Sequence, residues 1–158
     1  MLRDIKQPLE PLNPQKIGIA EKALGVKFPD EYIQFLLKYN GGRPEPAGFD
    51  IDWKNNQEIG QHWRTSMLSW FLSIYDGKST NLLRYNQVTF RGRIPKETIA
   101  IAHDCGGNLI LLGVAGEYKD KVLFWVKDYE VEEGEVPGFD NVGFLADSFD
   151  EFINEKLR

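Results

Sequence analysis

The stretch PKETIAIAHDCGGNLILLGVAGEYKDKVLFWV, residues 95–126, decides the fold. Three short apolar runs lie in it, Ile99 to Ala102, Asn108 to Gly113 and Val122 to Val126. The intervals between them, 103–107 and 114–121, are Gly-rich or charged and too short for the crossover helix that parallel strands require. The runs therefore read as a central antiparallel meander. Within the last run, Phe124 and Trp125 project to opposite faces of a strand. One of them belongs to the core, while the other lines a second packed face or an exposed groove; the sequence leaves open which.

Upstream, Asn13 is an N-cap and Pro14 the first residue of a helix that carries Ile17, Ala20 and Leu24 on one face and closes at Gly25. A second helix starts at Pro29, places Asp30 and Glu31 where the macrodipole favours negative charge, and presents Tyr32, Phe35, Leu36 and Tyr39 as an apolar stripe. Asn40, Gly41 and Gly42 stop it, because positive φ costs glycine no Cβ clash. Phe49, Ile51 and Trp53 alternate with Asp50 and Asp52, a strand signal, and Ser69 to Tyr75 reads as another strand. Lys54 to Arg64 reads as an irregular connection, and Thr80 to Tyr85 as a short helix. At the C-terminus Ser148 and Glu151 have capping-box spacing ahead of a helix with Phe149, Phe152, Ile153 and Leu157 on one face. Helices at both ends with strands between predict an α+β fold: a central, mainly antiparallel sheet with two N-terminal helices and a C-terminal helix. One domain over 1–158 is expected, with 1–13 as an N-terminal extension.

Composition narrows the function. The chain has 158 residues, 42% hydrophobic and 27% charged, among them four Trp, six Tyr and ten Phe, enough to build one core. Nineteen basic and 24 acidic residues give a net charge of -5 and a pI near 5.1, which repels phosphate backbones and disfavours direct nucleic-acid binding. Cys105 stands alone, so no intramolecular disulfide forms and a reducing compartment fits. With no apolar signal-like segment at the start and no window of membrane-spanning length, the expectation is a cytoplasmic protein without a membrane partner.

Glu21, Leu24, Gly25, Phe28, Pro29, Tyr32, Phe35, Leu36, Asn40, Gly41 and Gly42 resemble the opening motif of the SUKH superfamily. The likeness is greatest to the fungal cell-wall-assembly regulators and their bacterial relatives. Ile94, Pro95, Ile99 to Ala102, Asp104, Gly107, Asn108, Leu109 to Leu112, Val122, Phe124 and Trp125 look like that family's sheet region, and Phe149, Phe152 and Ile153 like its terminal helix. The resemblance spans about Pro14 to Leu157 and is weakest over Arg43 to Tyr75. It implies an α+β fold and, in bacteria, an immunity protein that binds and neutralises a polymorphic toxin, often a nuclease. In fungi it implies a non-enzymatic regulatory scaffold. The fungal regulators carry long additional segments, whereas this chain ends almost where its domain ends, which favours the immunity reading.

The residues that carry the resemblance have structural explanations. Asn40, Gly41 and Gly42 terminate a helix; Asp104, Gly107 and Asn108 form a hairpin turn in which Asp104 bonds backbone donors. His103, Asp104 and Cys105 put an imidazole, a carboxylate and a thiol side by side, yet consecutive turn residues rarely share the geometry of a nucleophile and its base. Two histidines and one cysteine match no zinc spacing, and Gly106, Gly107 and Asn108 lack the Lys-Ser or Lys-Thr of a phosphate loop. Asp50 and Asp52 share one strand face, where they either ligate a hard cation or simply meet water. No catalytic residue, metal or cofactor is expected.

Two patches are candidates for partner binding. Asp128, Glu130, Glu132, Glu133 and Glu135 place five carboxylates in eight residues; they form either a solvated loop or a phosphate-like surface for a basic nuclease toxin. Arg43 to Arg64 contains Asp50, Asp52, Trp53, Glu58 and Trp63, aromatic anchors among polar residues as in interface hot spots, although Phe49 and Trp53 are equally suited to burial. The expected partner is a protein toxin, and a monomer is favoured.

Overall fold

A computed structural model describes residues 1–158. In chain order the elements are β1 (Asp4–Lys6), α1 (Pro14–Leu24), α2 (Asp30–Tyr39), β2 (Arg43–Glu45), β3 (Gly48–Asp50), α3 (Gln57–Gly60), β4 (Thr65–Phe71), α4 (Leu82–Arg84), β5 (Thr98–Asp104), β6 (Leu109–Gly113), β7 (Val122–Trp125), β8 (Val142–Ala146) and α5 (Phe149–Glu151). Both α4 and α5 run on into π-helical turns, Tyr85–Thr89 and Phe152–Lys156. Six strands form one sheet in the order β3-β4-β5-β6-β7-β8, each antiparallel to its neighbour, and β1 pairs with β2 in a separate ribbon. The fold is α+β, with the meander at its centre.

Alternation along the strands divides the core in two. Phe71, Ala102, Ile110 and Phe124 stand opposite one another across four strands and face α2 and α5, where the rings of Phe35 and Phe71 lie 4.7 Å apart and those of Tyr32 and Phe149 5.2 Å apart. Trp70, His103, Leu109, Trp125 and Val142 form the opposite row. That face is covered by the segment after α4, with Tyr85 stacked on His103 and Phe90 edge-on to Trp125. Phe124 and Trp125 are consequently both fully buried. The second face is packed and carries no open groove at Trp125.

Local signals set the helix ends where the sequence puts them. Asn13 Oδ1 accepts from the Lys16 N–H, and Gly25 closes α1 in the left-handed region. Asn40 does more than end α2. Its side chain accepts from the Ile74 N–H at 2.9 Å and donates to the Ile74 and Glu10 carbonyls, so the helix end is joined to two other segments. Gly41, at φ +85°, passes so close to β4 that a Cβ would lie 2.8 Å from the Phe71 carbonyl oxygen. Ser148 Oγ accepts from the Glu151 N–H, the N-cap bond its spacing predicts, while a Glu151 carboxylate oxygen reaches back one residue further than a capping box requires and accepts from the Asp147 N–H.

Three findings depart from expectation. The strand expected at Ser69 to Tyr75 lies at Thr65–Phe71 instead. A bulge between Leu68 and Trp70 breaks the period of two, and Leu72, Ser73 and Ile74 are apolar or small because they are buried beside Asn40, outside the strand. Lys54 to Arg64, expected to be irregular, contains α3, capped by Asn56. Residues 1–13, read as an extension, are tied into the fold: β1 pairs with β2, and the Met1 ammonium donates to the Leu157 carbonyl. Beyond β3 the chain keeps its alternation, with Phe49, Ile51 and Trp53 buried and Asp50 and Asp52 exposed. At Asp52 it exchanges two backbone hydrogen bonds with Phe144 of β8, which curls the sheet back upon its own edge.

Candidate partner-binding surface

The β5–β6 turn is the frame from which the acidic segment hangs. Asp104 is 2% exposed. One of its carboxylate oxygens accepts from the Gly106 and Asn108 N–H groups at 2.8 Å each, and the other accepts from Ser66 Oγ at 2.8 Å and Asn108 Nδ2 at 2.9 Å. Three of these four hydrogen bonds close the turn, and the fourth ties it to Ser66 of β4. The adjacent Cys105 is exposed, and the His103 ring nitrogen meets the Asp104 carbonyl rather than Cys105. Asn108, oriented by Asp104, uses Oδ1 to accept from the Lys127 N–H, fixing the point where the chain leaves β7.

From there residues 127–141 form a long surface loop pinned at three places. Lys127–Tyr129 is a 3-10 turn held by Asn108. In the middle, Arg93 donates two parallel hydrogen bonds to the Glu130 carboxylate at 2.9 and 2.8 Å. This pairing pushes the Arg93 pKa further up, and the same guanidinium rests on the Phe90 ring. At the far end Asn141 donates through Nδ2 to the Val126 carbonyl. Between the pins Asp128, Glu132, Glu133 and Glu135 are exposed, accompanied by Tyr129 and Val136 at 47% and 79% exposure. A cleft of about 650 Å³ is lined on one side by Glu130–Glu135 and on the other by the basic turn that carries Arg91 and Arg93, which the Arg93–Glu130 pair bridges.

Four of the five carboxylates thus face solvent, whereas Glu130 anchors the loop. No local signal links Glu130 to Arg93, 37 residues away; the pairing depends on the fold bringing the turn before β5 beside the loop after β7.

The second patch separates into buried rings and exposed charges. Trp53 is 5% exposed, and its indole N–H donates to the Trp63 carbonyl at 2.6 Å. Trp63 is half-buried, its ring 6.2 Å from Phe124. Since the extended segment that carries Phe49 in β3 and Trp53 beyond it turns this face to the core, Trp53 offers no surface to a partner. Asp52 and Glu58 are exposed; Asp50 is also exposed and pairs with Arg158. Asn56 donates to the Asp140 carbonyl at 3.0 Å, so the α3 loop adjoins the far end of the acidic loop.

A sequence profile of the SMI1/KNR4 family (SUKH-1) matches residues 11–155, from the approach to α1 through the terminal helix. The chain belongs to the SMI1/KNR4 family. Among curated proteins it is similar to the SPbeta prophage-derived uncharacterized protein YokK of Bacillus subtilis (strain 168), with 28% identity over 142 residues, 84% of this chain and 68% of YokK. A shorter likeness, 50% over 32 residues, links it to the uncharacterized protein YnaB of the same organism and covers 20% of this chain and 22% of YnaB. In this SMI1/KNR4 member, Asn40, Gly41 and Gly42 and the Asp104–Asn108 turn are structural joints. No helix in it is long and apolar enough to cross a membrane.

Proposed function

We propose that this chain is a bacterial immunity protein that acts in the cytoplasm, binding and neutralising a cognate toxin without turnover or cofactor, and that the toxin is a basic nuclease. The observation that carries this reading is the loop after β7. It is anchored by Asn108, Arg93 and Asn141 and holds Asp128, Glu132, Glu133 and Glu135 out in solvent beside the exposed apolar groups of Tyr129 and Val136. A held row of carboxylates mimics a phosphate backbone. It steers a cationic partner during encounter, and burial of the neighbouring apolar groups then adds contact free energy. Membership of the SMI1/KNR4 family and the prophage origin in the name of the similar YokK support a toxin-defence setting.

The test is affinity capture from native lysate with the tagged full chain, at low and high salt, followed by an assay of whether the captured protein's nuclease activity is inhibited. A single basic protein, inhibited on binding and released by salt, is the expected result. Capture of several regulatory proteins with no toxin among them would favour the alternative role of a regulatory scaffold.

A further inference from the structure

Beside the β8 edge, aromatic rings from three separate segments meet over one concavity of about 200 Å³. Tyr118 ends the 3-10 turn Gly116–Tyr118, Phe139 precedes β8, and their ring centroids lie 4.5 Å apart. Phe144, on β8, is the third ring, and all three are half-buried. Lys54 and Lys121 place their ammonium groups 5.0 and 5.7 Å from the Phe144 centroid. Each cation also faces a carboxylate of the same concavity: Lys121 pairs with Asp147 at 2.8 Å, and Lys54 lies 3.8 Å from Asp52.

Two cations and two carboxylates cancel locally, so a charged guest gains little from the field. What the concavity offers is apolar ring surface left in contact with water, which favours an uncharged apolar guest. Its size fits one aromatic side chain, since an apolar cavity of about 150 Å³ already accommodates benzene and this one holds about 200 Å³. Single aromatic side chains seated in such pockets are a common form of interface hot spot. We propose that this cleft receives one uncharged aromatic side chain presented by a protein partner. The proposal deepens the immunity reading and rests on it only for the identity of the protein that carries the ring.

The experiment is a two-dimensional NMR titration of the labelled full chain with N-acetyl-tryptophanamide, with N-acetyl-argininamide and N-acetyl-leucinamide for comparison. Saturable shifts in the millimolar range, confined to the residues around Tyr118, Phe139 and Phe144 and insensitive to salt, are expected for the tryptophan probe alone. Asn55, an exposed residue of the same cleft, provides a blocking variant that leaves the core untouched: Asn55→Trp abolishes those shifts. Scattered, non-saturating shifts, preferential binding of the arginine probe, or undiminished binding to Asn55→Trp would each overturn the proposal. With a captured toxin, Asn55→Trp lowers affinity about tenfold. If the free protein binds the tryptophan probe but the toxin binds Asn55→Trp normally, the cleft proposal fails and the immunity reading stands; if no toxin is captured, the immunity reading fails and the probe titration alone decides the cleft.

Discussion

Replacing Glu132, Glu133 and Glu135 together by lysine separates the electrostatic role of the loop from its folding role. All three are exposed and, unlike Glu130, none is held by a cation. The change moves the net charge from -5 to about +1 and inverts the sign of the loop. An exposed ion pair contributes about 0.2–1 kcal/mol, and reversal replaces attraction by similar repulsion. Three reversals therefore weaken binding to a basic partner by about 1–6 kcal/mol; ~3 kcal/mol, the working figure, is about a hundredfold. Charges at an interface rim act on encounter, so the loss falls on the association rate. It shrinks at high salt, where the screening length drops from about 10 Å at 0.1 M to about 3 Å at 1 M. Association kinetics across a salt series measure it, and the melting temperature, expected to move by only about 2 °C for exposed substitutions, controls for folding. An association rate within about threefold of wild type, with an unchanged salt slope, would refute the reasoning.

Other consequences concern the frame. Asp104→Ala leaves the buried Asn108 N–H and side-chain amide without their acceptor; stability falls by about 2–4 kcal/mol, a drop of about 5–15 °C in melting temperature, measurable by calorimetry. Arg93→Ala frees Glu130 at a cost of about 1 kcal/mol, and hydrogen exchange accelerates over residues 130–136 while β5 to β7 stay protected. The Asp147 carboxyl lies below its ordinary value of 3.8, chiefly because it accepts a hydrogen bond from Lys121 and secondarily through that lysine's charge. A depressed folded pKa gives stability that is fully present above the ordinary carboxylate range and is lost as pH falls through the folded value. Urea unfolding of wild type and Lys121→Ala across pH therefore shows a difference that is constant near neutrality and shrinks in acid.

What was legible in the sequence was local. Asn13, Pro14 and Gly25 bound α1, and Pro29 with Asn40 to Gly42 bound α2, because a cap is chemistry between residues a few positions apart. The meander β5 to β7 was legible because its apolar runs are separated by intervals too short for anything but antiparallel return. Elements defined by distant partners were not. The sequence reading has no strand between Trp125 and Ser148, yet β8 is there; Val142, Gly143, Leu145 and Ala146 are all buried, so no alternation marks it. β1 and β2, three residues each, exist through the pairing of Asp4 to Lys6 with Arg43 to Glu45. The bulge at β4 shifted a strand that composition alone misplaces. At the surface, the carboxylates of 128–135 could be read directly, while the capture of Glu130 by Arg93, the burial of Trp53 and the meeting of Tyr118, Phe139 and Phe144 all depend on contacts across the sheet.

The proposed neutralisation by binding is tested most directly by titrating the full chain against a fixed amount of the protein it captures and following that protein's nuclease activity. The account predicts a linear fall to zero at one molar equivalent, reached at once and unchanged on longer incubation. Progressive loss of activity at a small fraction of an equivalent, or full activity at excess, would contradict it.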